Sequence, residues 1–178
     1  MSEPERPAYK GDASSGDVPS MMVSGYALGA TSLERLAVIS SENGIVLPTG
    51  SFKEAVHFLW ATDQKAAFLA CLLLAADERV HVRADLAVAM PQYHKAIFRI
   101  LSADFALSVR AAIAANVITP ADMLLHLASD KDELVRFAVA STERAGKSAL
   151  SLLCEDHSPV VKTRANATLA LLEKKKDM

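Results

Sequence analysis

The sequence predicts an all-α chain of short helices stacked in repeated units. Three observations carry that prediction. An acid recurs six residues ahead of a basic residue: Asp77 and Arg83, Asp104 and Arg110, Asp130 and Arg136, Asp156 and Lys162. The apolar residues keep step with these pairs. A Val precedes each basic residue (Val82, Val109, Val135, Val161), and a Leu stands nine positions before it (Leu74, Leu101, Leu127, Leu153). The composition is 51% hydrophobic but only 6% aromatic, an imbalance supplied by Ala and Leu, which favours packed helices over sheets.

The elements follow in chain order. Residues 1–22 are rich in Pro, Gly, Ser and charge, the composition of a disordered tail, and lack the basic-then-apolar order of a secretory signal. Residues 23–73 read as N-terminal capping helices. In "TSLERLAVISSENG" Thr31 and Glu34 form a capping box and Asn43-Gly44 ends the helix. Asn-Gly could alternatively turn a β-hairpin into "IVLP". A second box, Ser51 with Glu54, opens "SFKEAVHFLWA", whose Trp60 is expected over the open end of the stack. Thr62 or Asp63 then caps "QKAAFLACLLLAA".

From residue 74 the chain reads as four helical repeats, 74–100, 101–126, 127–152 and 153–178. Their basic anchors lie 27, 26 and 26 positions apart, and such self-similarity is the signature of a repeat architecture. Each unit reads as two helices. In the second, Asp104 is expected to cap a helix running to about Asn116, and Thr119 the next, with Pro120 at its first position. Pro91 and Pro159 suit helix starts, and Gly146 stands in the third unit where the second has Pro120.

Six helical residues separate two side chains by about 240° and about 9 Å of rise, so Asp and Arg of one unit do not pair along a helix face. A short Asp is suited to accept backbone N–H groups at the helix start. The long Arg is then free to reach the Asp, or the loop carbonyls, of the adjacent unit. Asp77, Arg83, Asp104, Arg110, Asp130, Arg136, Asp156 and Lys162 are therefore read as a structural inter-repeat ladder. The positions Val109, Ala112, Ile113 and Asn116, matched by Val135, Ala138, Val139 and Thr142, share one helical face. A single unit of about 26 residues cannot bury that face alone, so the units must stack.

The stretch "VRAAIAANVITPADMLLHLASD" resembles the variant leucine-rich repeat, with Val109, Arg110, Ala112, Ile113, Ala114, Asn116, Thr119, Pro120 and Asp130 at matching positions. The Asp-to-Arg interval is also similar to that of HEAT repeats, where these residues form a ladder between units. The likeness spans roughly residues 70 to 172 and is close only over 101–126. It implies a right-handed α-solenoid. Met90-Pro91 without Asn, the missing Thr-Pro of the third unit and Asn166 in place of an Ala depart from the pattern. Some members of the variant group carry a cysteine-ligated iron–sulfur cluster. Here Cys71 and Cys154, 83 positions apart, cannot supply four ligands.

No reactive constellation is legible. The five histidines (His57, His81, His94, His126, His157) show no i,i+4 pair, and no Cys-x-x-Cys, phosphate loop or nucleophile elbow occurs. No catalytic residue, metal site or cofactor is expected. The cysteines read as reduced, apolar thiols. The longest apolar run, "AAFLACLLLAA", has 11 residues, about half a membrane span. A cytoplasmic protein without membrane insertion is expected. Between Asp77 and Lys162 stand ten Lys/Arg and eleven Asp/Glu, no excess for gripping phosphates. The expected function is a noncatalytic protein-binding adaptor or assembly factor, its alternative a HEAT-like nucleic-acid-binding protein. In "DELVRFAVA", Leu134 and Phe137 lie off the core face, either buried under the next repeat or forming a partner-binding patch.

Overall fold

The structure, a computed structural model, describes residues 31–176. The segment read as a tail lies outside the described residues. Within them the chain is all-helical, with no strand.

Three helices open it: α1 (Ser32–Glu42), α2 (Phe52–Thr62) and α3 (Gln64–Ala75). Both capping boxes are formed, Thr31 with Glu34 and Ser51 with Glu54, and Asp63 accepts the Lys65 and Ala66 N–H groups at the start of α3. Asn43 ends α1 and Gly44 takes φ +71°, while "IVLP" carries no strand, which removes the hairpin alternative.

Seven helices follow: α4 (Val80–Ala89), α5 (Lys95–Ser102), α6 (Leu107–Ala115), α7 (Ala121–Leu127), α8 (Glu133–Ala140), α9 (Gly146–Leu153) and α10 (Pro159–Lys176). A 3₁₀ turn, Glu143–Ala145, precedes α9, and Gly146 joins them at φ +72°, a backbone state that suits glycine.

Packing sorts these helices into two rows. In one, α2, α4, α6, α8 and α10 each pack directly on the next. In the other, α3 meets α5 and α7 meets α9, but α5 and α7 make no comparable contact. Small side chains explain the tight row: Ala87, Ala114 and Ala140 are fully buried and let the helix axes approach. Val82, Leu86, Val109, Ile113, Val135 and Val139 point between the rows and are also fully buried. The recurring leucines Leu74, Leu101, Leu127 and Leu153 meet them from the other side.

Several sequence expectations need correction. Asp104 does not cap α6 directly; it lies two residues ahead of the cap position, Ala106, and accepts that residue's N–H at 2.8 Å. Thr119 turns its hydroxyl back to donate to the Ile113 carbonyl at 2.5 Å, so it does not cap α7. Pro91 stands four residues before α5 begins. Pro159, by contrast, is the first residue of α10, and Ser158 accepts from Val161 N–H. Trp60 lies on α2, the first helix of the tight row. It is buried in α2 near His94, whose ring lies 4.3 Å, centroid to centroid, from Phe68.

Candidate functional site: the loop ladder and the face of the tight row

The acids occupy equivalent loops along one edge of the stack. Asp77, Asp104, Asp130 and Asp156 each accept the backbone N–H two residues on, at 2.8–3.0 Å, closing an Asx turn just before a helix of the tight row. Each turn aims the carboxylate at the preceding unit.

The arginine completes the joint. Arg83 Nε donates to Asp104 at 2.6 Å while its Nη1 donates to the Asp77 and Glu78 carbonyls at 2.6 and 3.0 Å. Arg110 repeats this with Asp130 and the Asp104 and Phe105 carbonyls, and Arg136 with Asp156 and the Asp130 and Lys131 carbonyls. The carbonyls belong to the arginine's own loop, not to the adjacent unit. That answers why the spacing is six: one guanidinium nitrogen must reach back to residues i−6 and i−5 while the other side of the fork meets the next carboxylate. The three arginines are 4–5% exposed, so each rung is dry and its donors must be satisfied.

Further groups tune each rung. The Phe105 ring lies 4.7 Å from the Arg83 guanidinium, Arg110 also pairs with Asp132, and Arg136 Nη2 lies 2.9 Å from His157 Nε2. Hydrogen bonding to Asp130 and Asp156 raises the Arg110 and Arg136 pKa values. Burial pushes Asp130 and Asp156 up, but their arginines and the loop N–H groups outweigh it and hold both below the usual carboxylate range.

The ends differ. Asp77 has no repeat before it and is met by Arg35 of α1 at 3.0 Å and by Arg79 at 2.9 Å. The Arg79 hydrogen bonds, with Arg35 adding to them, lower its pKa to about 2 despite burial. At the other end the Lys162 ammonium forms no hydrogen bond or ion pair among the described residues, so Lys162 is not a rung. Arg35 was missed in the sequence because it lies outside the periodic region. A second set of links was missed too. Asn116 Nδ2 donates to the Ala87 carbonyl and Thr168 Oγ1 to the Ala140 carbonyl, both at 2.7 Å, and Arg144 reaches the Thr119 carbonyl at 3.3 Å. Asn116 and Thr168 stand six residues after Arg110 and Lys162, a register visible in the sequence once its role is known.

The ladder leaves no spare chemistry. Its donors and acceptors are committed to one another, and the described residues hold no group of three or more His, Cys, Asp or Glu placed for a metal ion. Burial pushes the Cys71 thiol up to about 12, opposed in part by the nearby Trp60 indole N–H. Burial and then Glu155 raise Cys154 as well; both cysteines are free thiols. Thiols so disposed stay protonated near neutrality and make poor nucleophiles.

What the stack offers to solvent is the outer face of the tight row. Many of its positions are small (Ala84, Ala111, Ala115, Ser141 and Ala167), while Val88 and Val160 are 60% and 58% exposed. Leu134, 62% exposed, and Phe137, 36% exposed, break that pattern, so neither is buried under the next repeat. Phe137 forms one wall of an open depression against α10, where Val160, Thr163 and Arg164 form the other. Arg164 donates to the Ser141 hydroxyl at 3.1 Å and has no carboxylate within ion-pair distance among the described residues. No described helix is long and apolar enough to cross a membrane.

Comparison of the chain with protein-family models, curated proteins and solved structures finds no match.

Proposed function

We propose that this chain is a noncatalytic helical-repeat protein, a right-handed α-solenoid of units of about 26 residues, serving as a protein-binding adaptor or assembly factor. The regular joints and the likeness of residues 101–126 to the variant leucine-rich repeat support the architecture. The observation that carries the function is the pair Leu134 and Phe137. At the Phe137 position the other units hold Ala84, Ala111 and Thr163, and at the Leu134 position His81, Ser108 and Val160. Leu134 and Phe137, with the exposed Val160 beside them, stand in water at a cost in solvation without adding to the core, which suits a surface that a partner covers.

The double variant Leu134→Ser/Phe137→Ser tests this reading. Affinity capture from cell extract with the native chain is expected to retain a defined partner that the variant loses, with circular dichroism unchanged. Capture that is equal for both chains overturns the assignment. Tight, salt-dependent retardation of duplex DNA at physiological salt would instead favour a nucleic-acid-binding protein.

A further inference from the structure

A second feature of the same face names the chemistry of what it binds. Helices α2, α4 and α6 enclose a cleft of about 300 Å³ at the end of the face remote from Phe137. Its floor includes the buried Met90, and its rim carries Val88 and Val117, 60% and 76% exposed. One wall is α2, where Lys53 and His57 stand four residues apart and so share a helix face. Neither makes a hydrogen bond or ion pair among the described residues. Asn116, also at the cleft, has its amide spent on the Ala87 carbonyl and the Ile118 N–H. No acidic residue lines it. The cleft thus combines an apolar trough with two uncommitted nitrogen donors and no carboxylate.

We propose that this cleft docks a partner-protein segment in which a carboxylate side chain stands beside an aliphatic or aromatic one. The apolar side chain lies between Val88 and Val117, and the carboxylate meets Lys53 and His57. The inference rests on the reading that the chain binds protein through this face. Charge selects the occupant. A second copy docking this patch about a two-fold axis through it would set Lys53 and His57 against a surface that carries no carboxylate. A duplex would find one lysine and one imidazole on an apolar floor, too few for phosphate-driven affinity.

The test is a titration of the full chain, followed by methyl and imidazole NMR signals, with a blocked pentapeptide alternating Glu and Leu. Saturable shifts of the Val88, Val117 and Ile118 methyls and of the His57 ring are expected. The Gln-for-Glu peptide should bind about tenfold more weakly, the loss expected when a charge-assisted hydrogen bond becomes a neutral one. Lys53→Glu/His57→Glu should abolish the shifts and Lys53→Arg should keep them. Both positions are solvent-exposed, and Lys53→Gln/His57→Gln serves if the reversed variant folds poorly. Methyls that stay still at millimolar peptide overturn the proposal. So do equal shifts from the Gln peptide, or shifts that follow the chain's own concentration or added duplex. Such a result with Phe137-dependent capture intact removes the cleft alone; loss of that capture strikes the underlying reading.

Discussion

Arg110 and Lys162 hold the same register in the sequence and the same place on their helices, yet the first is a fully engaged joint and the ammonium of the second meets no partner among the described residues. Arg110 is 5% exposed and meets a carboxylate of the following loop and two carbonyls of its own. After Lys162 no described loop follows to offer an acid. The neighbouring positions change in the same sense: Ala87, Ala114 and Ala140 are buried beneath the next helix, whereas Asn166, their counterpart in α10, is exposed and bonds back to the Lys162 carbonyl. At the opposite end Arg35, from a helix outside the repeat, supplies what a preceding unit would have supplied to Asp77. The ladder therefore belongs to the junctions and not to the individual units, and a polar outer face closes the last described helix.

The sharpest way to break this comparison is Arg110→Ala. It strands the buried Asp130 carboxylate and takes the donor from two loop carbonyls. Removing one partner of a buried ion pair costs about 3–5 kcal/mol, so a large drop in the urea midpoint is expected. Arg110→Lys keeps the charge but not the fork, and should recover only part of the loss. A cost below about 1 kcal/mol for Arg110→Ala would mean that Val109 and Ile113 hold the junction by packing and that the rungs merely decorate it.

Acid should sharpen the contrast at the N-terminal end. Asp77, held at about 2 by Arg79 and Arg35, is depressed relative to an ordinary aspartate near 3.8. A carboxyl lowered in the folded state contributes stability that is complete above its unfolded value and is lost as pH falls from about 3.8 through about 2. The contribution is on the order of 2 kcal/mol. Asp130 and Asp156 are lowered as well and act in the same direction. Denaturation midpoints measured against pH should fall across that window, and Asp77→Asn should be less stable near neutrality and flatter in acid. An Asp77→Asn curve parallel to the native one would show that the carboxylate is not what α1 anchors to.

The helical class and the members of three rungs were legible because a period of 26 or 27 residues survives in side chains that must do the same work at every junction. The contact made by each atom was not. Spacing of six suggests that Asp and Arg do not pair within a unit, but it does not say that the guanidinium spends Nη1 on its own loop, since carbonyls leave no mark in a sequence. Thr119 and Pro120 look like a helix start and instead form a loop in which the Thr hydroxyl donates backward to Ile113. Arg35 was out of reach because an end unit need not keep the period. Lys162 fits the period but fails the chemistry. The Lys53–His57 cleft was hidden for a different reason: its walls come from three helices whose mutual approach only packing decides.

The smallest expected effect is Lys162→Ala. Lys162 stands where the arginines stand, so a reading based on register alone predicts a loss like that of Arg110→Ala. The described residues give its ammonium no acceptor and the residue is only half-buried, so the change removes a solvated charge and little else. Surface substitutions of that kind stay within about 0.5 kcal/mol, and Ala is the better helix former. The urea midpoint should hold steady. A drop comparable with that of Arg110→Ala would give Lys162 an acceptor after all, make it a fourth rung, and move the end of the ladder beyond α10.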